Sequence, residues 1–134
     1  MTTVSAKQFL QRWFAELSRT GFDAAVFLDV LSDDMVWTAT GESPVSGVFR
    51  GKQAYIGGVY HPLDDHLVSW PRADVVRIIG DGEWAAVQFR GSGGQGRNGT
   101  DYSLDYCWLI HVTGEQISEV IGFYDQTKVH ELFS

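Results

Sequence analysis

Apolar and polar positions alternate most clearly in the last third of the chain, which reads DYSLDYCWLIHVTGEQISEVIGFYDQTKVHELF from Asp101 to Phe133. The alternation predicts two long strands, Tyr102–Val112 and Gln116–Tyr124, joined by a turn at Thr113-Gly114-Glu115. A short helix follows over Lys128–Phe133. Both strands carry large apolar residues on both faces. That pattern suits a curved sheet with helices or a cavity on one side and a second surface to cover on the other.

Upstream, Ala6, Phe9, Leu10, Trp13, Phe14 and Leu17 recur at helical spacing. Ser5-Ala6-Lys7-Gln8 fits a capping box, and Gly21 suits a helix C-cap. A second helix is predicted over about Asp23–Leu31, with Val26, Phe27 and Leu31 turned inward, then a turn at Ser32-Asp33-Asp34. Met35, Trp37 and Ala39 alternate with Val36, Thr38 and Thr40 as a strand. The stretch Gly41–Gly51 reads as loop with a short strand near Val48-Phe49. A third helix begins near Lys52, weakened at Gly57-Gly58 and kinked or ended by Pro62. Ala73–Ile79 and Glu83–Arg90 read as strands joined at Gly80-Asp81-Gly82. Gly91–Thr100 reads as a glycine-rich hairpin loop.

Two helices, a strand, a helix and four consecutive strands make an α+β fold, not a βαβ nucleotide fold. Gly91-Ser92-Gly93-Gly94-Gln95-Gly96 does match G-x-G-x-x-G, but no helix follows it, and His111 lies where an acidic residue would be needed. At 134 residues, with 44% apolar and 13% aromatic content, the chain is expected to form one domain, 1–134, with a substantial core. A net charge of −7 and the lack of any basic run argue against nucleic acid as a partner. The lone Cys107 allows no internal disulfide and reads as a buried structural thiol. No secretory h-region and no bilayer-length apolar run are visible. These features together predict a soluble, cytoplasmic protein without a membrane partner.

Four segments carry a resemblance that spans nearly the whole chain: the aromatic first helix at Trp13-Phe14; Asp33-Asp34-Met35-Val36-Trp37 with Gly41-Glu42-Ser43-Pro44; Phe49-Arg50-Gly51-Lys52 leading to Pro62-Leu63; and Tyr106-Cys107-Trp108 with Gly122-Phe123-Tyr124-Asp125. With this element order, the chain resembles the SnoaL-like branch of the nuclear-transport-factor-2-like, or ketosteroid-isomerase-like, superfamily. The resemblance implies a cone: a curved, mixed but mostly antiparallel sheet wrapped around N-terminal helices, a cystatin-like roll with an internal apolar cavity. It also implies frequent dimerisation through the outer sheet face. Members include isomerases, dehydratases, cyclases, epoxide hydrolases and proteins that only bind, so function rests on the site.

Two of those chemistries find little here. The carboxylate base of a steroid isomerase falls near Ala39, and its tyrosine near Trp13 or Phe14. The epoxide-hydrolase carboxylate falls at Gly122, and of its Arg-x-Asp pair only Arg90 remains. An asparagine common among relatives falls near Leu104. Ala39, Leu104 and Gly122 thus leave a greasier and wider cavity. Trp13, Trp37, Tyr106, Trp108 and Tyr124 are expected around it, with Leu104 and Gly122 in its wall.

The candidate proton-transfer groups are His61, beside Pro62 at the expected cavity mouth, and Asp125, after the last strand. Each has a plainer reading, as an exposed helix-end histidine and as a helix N-cap. His61, Asp64, Asp65 and His66 do not form a credible metal site, because an i, i+5 spacing puts the two histidines on different faces of a helix. No metal and no cofactor are expected. Two functional classes remain open: a cofactor-independent isomerase, cyclase or hydrolase acting on a small hydrophobic or polyketide-like molecule, and a non-catalytic domain that binds such a molecule. Homodimerisation through the outer sheet face is compatible with both.

Overall fold

The structure is a computed structural model that describes residues 5–134. The first helix, α1 (Ala6–Thr20), starts where the sequence places it. Ser5 Oγ accepts from the Gln8 amide, and the Gln8 side chain accepts from the Ser5 amide. Its buried stripe is Ala6, Phe9, Leu10, Trp13, Phe14 and Leu17. Gly21 ends it in the left-handed region at φ 68°, and Phe22 follows at φ 64°. A left-handed phenylalanine is uncommon and needs compensation. Phe22 has it: its ring stacks on Trp70 and tilts against Phe27.

Helix α2 is shorter than its apolar pattern suggests, Ala24–Leu28, capped by the Asp23 carboxylate. Strand β1 (Leu31–Ala39) therefore begins earlier than expected and includes Ser32-Asp33-Asp34. An irregularity between Leu31 and Val36 in its pairing with β7 absorbs those polar residues, so Met35, Trp37 and Ala39 still face inward. Strand β2 (Gly47–Arg50) pairs antiparallel with β1.

The third helical segment does not stop at Pro62. It runs as α3 (Lys52–Tyr55), a π-helical turn (Ile56–Tyr60) and α4 (His61–His66). Proline lacks an amide hydrogen and crowds the carbonyl four residues back. The wider turn, in which the His61 amide donates to the Ile56 carbonyl, precedes Pro62 and relieves that conflict.

Three hairpins complete the sheet. Strand β3 (Leu67–Ser69) and strand β4 (Arg72–Asp81) both pair with β5 (Trp84–Gly96), which pairs with β6 (Asp101–Thr113), which pairs with β7 (Gln116–Tyr124). The sheet order is β2-β1-β7-β6-β5-β3, with β4 alongside residues 84–92 of β5. Only β1 and β7 are parallel. Helix α5 (Gln126–Leu132) closes the described chain.

The glycine-rich stretch corrects an expectation. Gly91–Gly96 is strand, not hairpin loop, and the turn lies beyond it, at residues 97–100. Between Gly91 and Gly94 the register with β6 slips: Gly91 faces Leu104, but Gly94 faces Tyr102. Gly93 takes φ 78° at that bulge. A Cβ on Gly94 would lie 2.4 Å from the Tyr102 carbonyl and 3.0 Å from Pro71. The glycines let Pro71 and β6 close on a bent β5.

The core lies between the concave sheet face and the helices. Val87, Phe89, Ile110 and Val120 from the sheet meet Leu10, Phe14 and Leu17 from α1. Among the described residues no helix is long and apolar enough to cross a membrane.

Candidate functional site

The concave face encloses a cavity of about 60 Å³, bounded by β1, β5, β6, β7 and the helical segments. That is room for about two waters at their liquid volume. Alternation along β1 brings Trp37 and Ala39 to it; the same logic brings Tyr102, Tyr106 and Trp108 from β6 and Gly122 and Tyr124 from β7. Tyr55 reaches it from α3, and Phe27 from α2.

Small residues at Ala39 and Gly122 do not leave a wide space. These two are direct partners across the parallel strands, and Gly122 also faces Trp108 across β6 and β7. A Cβ on Gly122 would sit 3.3 Å from the Trp108 indole. The indole occupies the room that a larger side chain would take, so the cavity is narrow rather than roomy. Trp108 then organises the wall. It meets Trp37 at 5.1 Å and 80°, and Phe89 at 4.8 Å and 82°.

The ionisable groups lining the cavity, among the described residues, are all tyrosines: 55, 102, 106 and 124. Burial pushes the Tyr55 and Tyr106 hydroxyls well above the ordinary phenol range, and neighbouring phenols add to this. Tyr102 is also raised, mainly by burial, and its interaction with Tyr106 offsets part of that. Tyr106 is only half-buried as a residue, because part of it also borders the outer groove, but its hydroxyl end is deep. These three phenols stay protonated through the neutral range. They can donate hydrogen bonds to an oxygen acceptor, and they offer no base.

One end of the cavity is closed by the loop of residues 40–46 and by α5, which contribute Val45 and Val129. Polar contacts hold this closure. The Ser43 and Ser46 hydroxyls lie 3.0 and 3.1 Å from the Tyr124 hydroxyl, and Ser46 donates to the Thr40 carbonyl. Gln126 Nε2 also donates to Thr40, at 2.9 Å, and His130 Nε2 lies 2.7 Å from the Glu42 carbonyl.

Of the residues expected here from sequence, Trp37, Tyr106, Trp108, Gly122 and Tyr124 come together. Trp13 does not. Its indole N–H donates to the Val26 carbonyl at 2.9 Å, and its ring stacks on Phe27, so it joins α1 to α2 within the core. Leu104 is buried on the same face as Tyr106 but lies outside the cavity wall. His61 is exposed, packed edge-on near Tyr60, and not in the wall. Asp125 is exposed, and its carboxylate accepts from the Thr127 amide as the N-cap of α5. Cys107 is half-buried on the outer face rather than in the core.

Tyr102 and Tyr55 also line the cavity. Tyr102 shares the parity of Leu104, Tyr106 and Trp108, so extending that alternation by one pair of residues reaches it. Tyr55 had no comparable signal, because the π-helical turn that follows it breaks ordinary helical spacing. Among the described residues no group of three or more His, Cys, Asp or Glu side chains is arranged to hold a metal ion.

Solved structures share this helix-wrapped, curved-sheet fold. An NTF2-like protein from Burkholderia thailandensis aligns over 98% of both chains with TM-score 0.77 and 18% identity. A protein with a cystatin-like fold from Xanthomonas campestris aligns over 98% of this chain and 99% of its own, with TM-score 0.73 and 23% identity. A ketosteroid-isomerase-like protein from Catenulispora acidiphila, solved with trimethylamine, aligns over 91% of this chain and 88% of its own, with TM-score 0.69 and 14% identity. Residues 10–120 match the SnoaL-like domain, and the chain belongs to that family. No curated protein matches the chain by sequence.

Proposed function

We propose that this protein is a binding domain for a small, compact, largely apolar molecule held in the aromatic cavity. The observation that carries this reading is the composition of the wall: aromatic and aliphatic side chains with a few phenolic tips, and no carboxylate, imidazole, amine or guanidinium among the described lining residues. Such walls bury apolar ligands and orient them with a few polar contacts. The Catenulispora neighbour, which holds trimethylamine, agrees with a ligand of this size. An acid/base enzyme acting through His61 or Asp125 gains no support from their positions, since neither side chain enters the wall.

The reading predicts that xenon enters the cavity and quenches tryptophan fluorescence, because Trp37 and Trp108 border the space. Ala39→Leu fills the cavity with a larger apolar group and should abolish that signal while leaving the circular dichroism unchanged. Undiminished binding by the folded variant would place the ligand elsewhere.

A second copy of the chain is the proposed partner. One row of outer-face positions crosses six strands in register: Val48, Thr38, Ile121, Leu109, Ala86 and Ile79. Ile79 is 64% exposed, and the neighbouring Phe123 is 46% exposed. A contiguous apolar face of this kind is characteristic of an interface. Light scattering should give the mass of two chains for the native protein and of one for the double variant Leu109→Lys, Phe123→Lys. A native mass of one chain would refute the pairing.

A further inference from the structure

The concave face encloses the cavity, so a molecule reaches it only where side chains can part. Five lining residues are half-buried rather than buried: Phe22, Leu63, Trp70, Tyr106 and Tyr124. Tyr106 and Tyr124 meet solvent at the outer groove, which they also border, and both sit in paired strands. Phe22, Leu63 and Trp70 mark a different approach to the interior. Phe22 lies in the bend between α1 and α2, and Trp70 in the two-residue connection between β3 and β4. Neither belongs to a helix or a strand, and connections of this kind move more readily than the elements they join.

Their rings meet by stacking: Phe22 on Trp70 at 5.6 Å and 3°, and Trp70 on Tyr60 at 5.0 Å and 17°. One hydrogen bond anchors the stack from outside. The Trp70 indole N–H donates to Asp64 Oδ1 at 2.7 Å, and Asp64 is exposed on α4 beside Leu63. Phe22 holds φ 64°, a conformation that is costly for phenylalanine and persists only while its surroundings enforce it. Parting the rings removes one of those supports, so strain at Phe22 favours opening.

We propose that Phe22, Leu63 and Trp70 form a lid over the cavity, with Asp64 as its latch. The rings of Phe22 and Trp70 part to admit a small apolar molecule and restack behind it. The proposal rests on the binding reading above and adds the route by which that site fills and empties.

Exchange of xenon between solvent and cavity, followed by xenon NMR on the native protein under pressure, reads the lid directly. Asp64→Ala leaves every ring in place and removes only the latch. It should speed exchange about fivefold, the factor carried by one net hydrogen bond. Trp70→Ala removes both stacks as well and should speed exchange by more than about tenfold. The double variant Gln126→Ala, His130→Ala unties the loop of residues 40–46 at the other end of the cavity and should leave the rate unchanged. Circular dichroism establishes that each variant is folded, and Asp64→Ala alters only an exposed side chain. An unchanged rate in Asp64→Ala or in Trp70→Ala, or an equal acceleration in the loop variant, would overturn the lid and leave the binding reading standing. Absence of any xenon uptake by the native protein would overturn both.

Discussion

Replacing Trp108 with alanine should be among the most damaging single changes in this protein, costing about 3–5 kcal/mol of stability. The residue is 6% exposed, and its ring packs against the rings of Phe14, Phe27, Trp37, Phe89 and Tyr106. Removing it discards the transfer energy of the indole and leaves a hole that Gly122 and Ala39 cannot fill. A chemical melt should show the loss directly, and thermal unfolding should drop by about 10–15 °C for a chain of this length. Trp108→Ala should also weaken ligand binding, because the wall itself is gone. Trp13→Phe provides the contrast. It removes the indole N–H that donates to Val26, and so costs stability, but it lies outside the cavity and should leave affinity unchanged. Equal effects of the two on affinity would mean that general loosening, not the wall, controls binding.

Gly94→Ala should cost roughly 1–3 kcal/mol, an unusually large effect for adding one methyl group to a strand. The cause is steric and lies in the backbone. The new Cβ would meet the Tyr102 carbonyl at 2.4 Å, with Pro71 at 3.0 Å behind it. Neither is the free end of a flexible side chain, so β5 and β6 must separate. That separation moves Tyr102, whose hydroxyl belongs to the cavity, so ligand affinity should fall along with stability. Urea denaturation and a binding titration on the same variant check both halves. Gly99→Ala is the reference: no atom lies within 4 Å of its added Cβ, and φ 87° gives only local backbone strain.

These two positions also show what could be read from the sequence and what could not. The signals of α1 are local, in Ser5, Gln8 and Gly21, and the hairpin turns at Gly82 and Gly114 are equally local, each with φ 63°. Parity groups Met35, Trp37 and Ala39 along β1 and Leu104, Tyr106 and Trp108 along β6, and each group shares one face in the structure. Parity says which side a residue faces, but not how deep it lies along a bent strand. Leu104 lies between Tyr102 and Tyr106 on one face of β6, yet only the two tyrosines border the cavity. The apolar face of α1 does not reveal that the Trp13 indole is held by a carbonyl on α2. Gly122 indicated a missing polar group, but only packing shows that Trp108 takes up the space.

The central claim is that the ligand site is the interior cavity rather than the larger, open groove on the outer face, about 570 Å³, bordered by Arg77, Ile79, Cys107 and Phe123. A crystal structure of the protein under xenon pressure tests it most directly. The account predicts density for xenon inside the cavity, bordered by Trp37, Tyr102 and Trp108. Density confined to the outer groove, with the interior unchanged, would contradict it.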